Sequence, residues 1–315
     1  MLVEKCPQLE DLTLTSRSPR LFDLKLFEGS WPVLKTLRIV YQGSSPLVDS
    51  SDMIPRDALY RFILRHPCIQ DLTILHPFGI VPSFQQTGST DDKRPPLQSL
   101  LPALKTYSGS PEILTHLSRL DLVESLSIKD HTVNFPWIGD QNLSKFFTVS
   151  QPRLCNLRRL SFQVKWLQLL TIKTGNTSLI HSIVDSCPNL EDLHIKTMTP
   201  TSTGEVKGVL HFLCQLRELK TLTFTKAPQS LFKGEIPLRT AIRAVRAVPS
   251  LDRVRIVHVQ PYRVYERTRE GVYDVIRGPG ERVKLAVVER GQWKGLNAKI
   301  PWRGDTFNRT YFYSL

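Results

Sequence analysis

The feature that most limits the folds open to this chain is a short apolar phrase that recurs along it. Its form is Leu-x-x-Leu-x-Leu, with Ile, Val or Phe allowed in place of Leu, and several copies follow a Pro. The clearest copies begin at Leu9, Leu34, Ile69, Leu157, Leu190, Leu219 and Leu251. Weaker ones begin at Leu104 and Val123. Successive copies are 25, 35, 35, 19, 34, 33, 29 and 32 residues apart. Most of these intervals hold one strand, one helix and two loops. A period of this size marks a repeat architecture. One unit cannot bury its apolar face alone, whereas stacked units share a continuous core. The 19-residue interval leaves room for a short helix at most, so either Leu104 or Val123 is open to misreading.

The helices between the phrases follow from a 3.6-residue apolar period. Ala58, Leu59, Phe62 and Ile63 predict a helix over 57–66. Leu179, Ile180, Ile183 and Val184 predict another, capped by one of Asn176, Thr177 and Ser178. Val206, Val209, Leu210 and Leu213 give a third; Leu238, Ala241, Ile242 and Val245 give a fourth, ended by Pro249. Residues 76–96, rich in Gly, Pro, Ser and Asp, read as an exposed insertion. Beyond Val257 the repeat fades. Tyr262–Tyr265 and Val283–Val288 are the expected strands there, with a turn over 277–281 between strands.

The phrasing Cys187-Pro188-Asn189-Leu190-Glu191-Asp192-Leu193, and its kin at Cys6–Leu12 and Trp31–Leu37, resembles the leucine-rich repeats of fungal F-box/leucine-rich-repeat proteins. The resemblance covers residues 1 to 257. It implies an α/β leucine-rich-repeat solenoid, with a curved parallel sheet on the concave side and helices on the convex side. Residues 258–315 then form an irregular, basic and aromatic C-terminal cap. In that family the repeats recruit a substrate to a cullin-type ubiquitin ligase, and an F-box binds a Skp-type adaptor. Residues 54–64 resemble the opening of an F-box, but the next phrase at Ile69 leaves no room for the rest, so they are read as a repeat helix. Adaptor binding is expected only from an upstream or cryptic F-box. The first phrase begins at once with no polar cap before it, and the expectation is a piece of a longer protein.

Composition bounds the rest. Hydrophobic residues make up 41% of the chain, ample for a core, and no run approaches the ~18 apolar residues of a membrane span. The first residues have no apolar signal core, which sets the expectation of an intracellular protein, in cytoplasm or nucleus, that does not engage membrane. Five cysteines without a Cys-x-x-Cys pair argue for structural thiols rather than a metal or redox centre. Cys6, Cys68 and Cys187, each beside a Pro, are expected in equivalent buried corners where helix hands over to strand.

Side chains alternate across a strand, so the polar residues within each phrase share the face opposite the core. Toward the C-terminus that face turns basic, and Lys129, Arg159, His194, Lys196, Arg253 and Arg255 are the candidate partner-binding residues. Arginine grips carboxylates with paired hydrogen bonds. A protein partner with an acidic patch is therefore the expectation, although exposed sheet faces are polar in any case. The formal charge is +13, and residues 252–315 carry 13 Lys/Arg against 7 Asp/Glu, a net of +6. This supports a weaker alternative, nucleic-acid or acidic-partner binding through the C-terminal segment. There Arg263, Arg267, Arg269, Arg282, Lys284 and Arg290 interleave with Tyr262, Tyr265, Tyr273 and Trp293. The sequence carries no nucleophile elbow, phosphate loop or zinc-protease motif. The expectation is a non-catalytic protein without cofactor or metal.

Overall fold

A computed structural model describes residues 5–16, 24–41, 56–75, 101–109, 114, 119–128, 146–147, 154–164, 178–201, 203–228, 237–261, 266–277, 283–290 and 312–314. The insertion at 76–96 and the strand expected at Tyr262–Tyr265 lie outside these residues. The chain is α/β and divides into two compact units, Met1–Phe146 and Phe147–Leu315.

The first unit carries five parallel strands in sequence order: β1 (Asp11–Ser16), β2 (Thr36–Tyr41), β3 (Asp71–Leu75), β4 (Thr106–Gly109) and β5 (Ser125–Ile128). Among the described residues, helix α1 (Arg56–Leu64) and two short 3-10 turns (Leu24–Glu28 and Leu120–Leu122) lie between them. A strand follows both Leu104 and Val123, and the short interval between them holds an α-helical position at Leu114 as well as the 3-10 turn before β5. The second unit opens with β6 (Arg159–Gln163), β7 (Asp192–Thr201), β8 (Thr221–Pro228) and β9 (Arg253–Pro261), again parallel. Between them run α2 (Leu179–Ser186), α3 (Thr203–Leu213) and α4 (Pro237–Ala247). From β9 the direction alternates: β10 (Glu266–Arg277), β11 (Val283–Arg290) and β12 (Phe312–Ser314) pair antiparallel. The sheet is thus wholly parallel in the first unit and parallel up to β9 in the second, an arrangement compatible with a solenoid.

The apolar phrase maps onto one recurring turn. In every copy after the first, the residue three before the first apolar position accepts that position's N–H through its carbonyl oxygen, at 3.0–3.3 Å. These corner residues are Trp31, His66, Leu101 and Leu120 in the first unit, and Leu154, Cys187, Leu216 and Val248 in the second. All eight are buried. Cys187 therefore meets the corner expectation. Cys6 and Cys68 do not, because both are exposed. Cys68 falls one place before Ile69, on the water side of the turn, and His66 holds the corner instead. Cys6 occupies the corner position of the first copy, against which no earlier strand is described.

Within each unit the residue after the first apolar position links one copy to the next. Its carbonyl oxygen accepts two N–H groups from the next turn. Glu10 takes those of Lys35 and Thr36 (2.8 and 3.0 Å); Lys35 those of Gln70 and Asp71; Gln70 those of Lys105 and Thr106; Lys105 those of Glu124 and Ser125. In the second unit Arg158, Glu191 and Lys220 do the same. This rail fixes strand register regardless of how many residues intervene. At its end Asp252 takes the N–H of Val275 from β10 at 2.8 Å, and the Arg277 guanidinium covers the carbonyls of Pro249 and Leu251.

Core-side positions along the strands are filled as the period-2 pattern requires. Leu37, Ile39, Leu72, Ile74, Leu160, Phe162, Leu193, Ile195, Leu222, Phe224, Val254 and Ile256 are all buried. Burying such a side chain stabilises by about 1.5–3 kcal/mol, and here the stacked turns do that together. Helix α2 is capped by Ser178, whose hydroxyl accepts the His181 N–H at 3.4 Å. In α4 the buried face is Pro237, Thr240, Ala241, Ala244 and Val245, with Leu238 and Ile242 only half-buried.

Candidate recognition face

The side of each sheet opposite the core presents an ordered grid. In the first unit one row reads Asp11–Thr36–Asp71–Thr106–Ser125 and the next Thr13–Arg38–Thr73–Ser108–Ser127, each residue beside its register partner. In the second unit the rows are Arg159–Asp192–Thr221–Arg253–Asp274, Ser161–His194–Thr223–Arg255–Val272 and Gln163–Lys196–Thr225–Val257–Glu270. Neighbouring strands lie about 4.8 Å apart, so these side chains stand within reach of one another.

Five of the six sequence-predicted residues fall in the second unit's grid; Lys129 lies outside the described residues. Arg159 is exposed, and Lys196 is half-buried. Arg159 sits beside Asp192, whose carboxyl is pushed up by burial against the opposing pull of that guanidinium. His194 is half-buried and bridges two strands. Its Nδ1 lies 3.2 Å from Ser161 Oγ and its Nε2 2.9 Å from Thr225 Oγ1. A hydroxyl thus occupies the nitrogen where an acyl-transfer triad would place a carboxylate. The chain of three is a cross-strand bridge from β6 through β7 to β8.

The two arginines expected to make a basic end are exposed but engaged. Arg253 donates from Nε and Nη2 to the Asp274 carboxylate (2.7 and 3.3 Å), and Arg255 donates from Nε to Glu270 Oε1 at 2.6 Å. Both acids belong to β10, which crosses antiparallel beside β9. The basic end is therefore locally neutralised. Sequence reasoning missed Glu270 and Asp274 because it placed no strand at 266–277. The signal was present in the alternation Glu270-Gly271-Val272-Tyr273-Asp274, which sets both acids on one face of a strand. Tyr273 is buried, so it is not open to stack a base. Of the other residues in the C-terminal set, only the side chain of Lys284, which is exposed, falls within the described ones.

Along the turn edge a second series of charges follows the rail. Glu10 pairs with Lys35 at 2.7 Å. In the second unit Glu191 pairs with both Arg158 and Lys220 (3.1 and 3.2 Å), and Arg277 pairs with Asp252 at 2.9 Å. Exposed pairs of this kind contribute little each. Their effect is to alternate charge sign along the edge.

Among the described residues no group of three His, Cys, Asp or Glu gathers to hold a metal ion, and no helix is long and apolar enough to cross a membrane. Comparison with models of known protein families gives no match, and comparison with curated proteins finds no relative.

Proposed function

We propose that this protein is a recognition module built of leucine-rich-repeat-type units, which reads a protein partner on the polar face of its sheet. The observation that carries this is the grid. Each repeat delivers the same two strand positions to that face, in register with its neighbours, and fills them largely with Ser, Thr, Asp and Arg. Such an array offers closely spaced donors and acceptors on a rigid support, and a partner with matching groups satisfies many of them at once. The pairing of Arg253 and Arg255 with β10 acids modifies the partner chemistry. A mixed polar surface fits better than a purely acidic one.

On the resemblance to fungal F-box proteins, the partner is a substrate awaiting ubiquitin transfer, and a Skp-type adaptor joins only through an F-box outside or hidden in these repeats. The test compares the wild-type chain with a face variant (Thr73→Arg, Ser161→Arg) and a variant on the helix side at exposed Arg61 of α1 (Arg61→Glu) as bait in lysate. A protein retained by the wild type and the helix-side variant, and lost by the face variant, supports the reading. Equal retention by all three, or loss through the helix-side change alone, overturns it.

A further inference from the structure

Helix α4, Pro237-Leu-Arg-Thr-Ala-Ile-Arg-Ala-Val-Arg-Ala247, holds three arginines and no acidic residue. Arg239, Arg243 and Arg246 recur at i, i+4 and i+7, which places them along one side of the helix. Arg239 and Arg246 are exposed and, among the described residues, neither forms an ion pair; Arg243 is half-buried and has a contact of its own. The opposite side, with Ala241, Ala244 and Val245, is buried. Helix α3 packs beside α4 and adds exposed Lys207, and the turn after α3 adds exposed Arg217. Among the described residues the acids on α3, α4 and the turns after them are Glu205, half-buried and engaged in a contact, exposed Glu218, and Asp252, which pairs with Arg277.

This surface differs in kind from the polar face. There Arg253 and Arg255 have intramolecular carboxylates, and here, among the described residues, Arg239 and Arg246 have none. It also lacks what a protein interface needs at its centre, an exposed aromatic or large aliphatic anchor. Among the described residues the exposed large hydrophobic ones are Leu64 and Ile276, neither of them on α4. A partner held by charge alone is a polyanion. Seven residues of helix advance about 10 Å, close to three steps of ~3.4 Å along one strand of a duplex. Guanidinium forks suit phosphate oxygens. We propose that the outer side of α4 is a contact surface for the phosphate backbone of duplex nucleic acid, without base readout, separate from the polar sheet face.

The test measures binding of a fluorescein-labelled 20-base-pair DNA duplex by anisotropy across 50–200 mM salt. Each phosphate contact contributes about 0.9 to the slope of log affinity against log salt. Arg239→Gln with Arg246→Gln is expected to lower that slope by about 2 and to weaken binding about tenfold or more at low salt. Lys5→Gln with Lys105→Gln, the same charge change at exposed sites in the first unit, is expected to leave the slope unchanged. Arg239→Lys with Arg246→Lys is expected to retain most of the binding. Absence of wild-type binding at 50 mM salt overturns the proposal. So does an equal loss in both Gln variants, which would reduce the effect to net charge. Loss of a polyglutamate 20-mer but not of the duplex on Arg239→Gln/Arg246→Gln would assign the surface to an acidic peptide instead. None of these outcomes bears on the polar face, whose variants leave α4 intact.

Discussion

The imidazole of His66 accepts the backbone N–H of Trp31 through Nε2 at 2.9 Å, while its Nδ1 donates to the Phe62 carbonyl oxygen at 2.6 Å. Both nitrogens of a fully buried ring are committed, and the neutral tautomer is the one that fits. Protonation would set an Nε2–H against the Trp31 N–H. Burial accordingly lowers the His66 pKa, assisted by the Arg65 charge and opposed by the bond to Phe62.

From this follows a pH dependence with a defined sign. The unfolded chain binds a proton on His66 below about pH 6.5, whereas the folded chain resists it to lower pH. The contribution of His66 is present above that value and is lost as pH falls toward the lowered folded pKa. His66→Leu removes the acceptor and leaves the Trp31 N–H unpaired, at a cost of about 1–3 kcal/mol at pH 7.5. Urea denaturation at pH 7.5 and 5.5 should show a smaller difference between variant and wild type at the lower pH. Equal differences at both would refute the bonding scheme.

Tyr107 and Gly109 share the space that Leu and Ile take in the neighbouring copies. Tyr107 stands beside Leu72 and Leu126, and Gly109 beside Ile128. A Cβ on Gly109 would lie 2.6 Å from Tyr107 Oη and 2.9 Å from the Ile74 carbonyl oxygen. Gly109→Ala is therefore expected to destabilise by about 1–3 kcal/mol through overpacking. Adding Tyr107→Leu should recover part of that loss, because the phenol contact goes and the backbone contact stays. Chemical denaturation of the single and double variants checks both.

The thiols divide by position. Cys6, Cys68, Cys155 and Cys214 are exposed; Cys187 is buried, and its burial raises its pKa far above the ordinary thiol value. A thiol reagent at pH 8 should modify four groups promptly and the fifth only in denaturant. Prompt reaction of Cys187 would place the corner of that turn at the surface.

The acids of β10 mask the arginines of β9. Asp274→Asn with Glu270→Gln should cost less than about 1 kcal/mol, as expected for exposed pairs, yet raise affinity for a short polyglutamate peptide several-fold by freeing Arg253 and Arg255. Anisotropy titration measures it, and unchanged affinity would show that the guanidinium groups remain inaccessible.

The strand positions of every copy were legible in the sequence, because Leu190, Leu193 and Ile195 and their equivalents must all face one core and no other spacing does that. Helices α2 and α3 were legible for the same reason at a period of 3.6. The corner position was not, since what it requires is bulk at a tight turn, and Trp31, His66 and Cys187 share no single chemical class. Strand β10 was hidden by its composition. Charged residues and Gly271 have low strand propensity, and cross-strand pairs with Arg253 and Arg255 offset it only once β9 is in place. The buried register partners Lys226 and His258 were equally unreadable, because β8 and β9 run on past the apolar phrase. For the candidate site, the residues on the polar face could be named from alternation, but their charge balance could not, since it depends on a strand that returns from outside the repeats.

The rail of shared carbonyls has a practical consequence for anyone altering this chain. It holds the turns through backbone groups on one edge, so successive copies can lie from 19 to 35 residues apart without moving a strand. Foreign peptides spliced into those returns, as epitopes, protease sites or fluorescent reporters, should leave the register of the sheet untouched. Replacing the residue after a first apolar position by proline would do the opposite. It deletes one of the two amides that the preceding carbonyl receives, and a graft that shifts the turn by one residue would turn a whole strand's polar side inward.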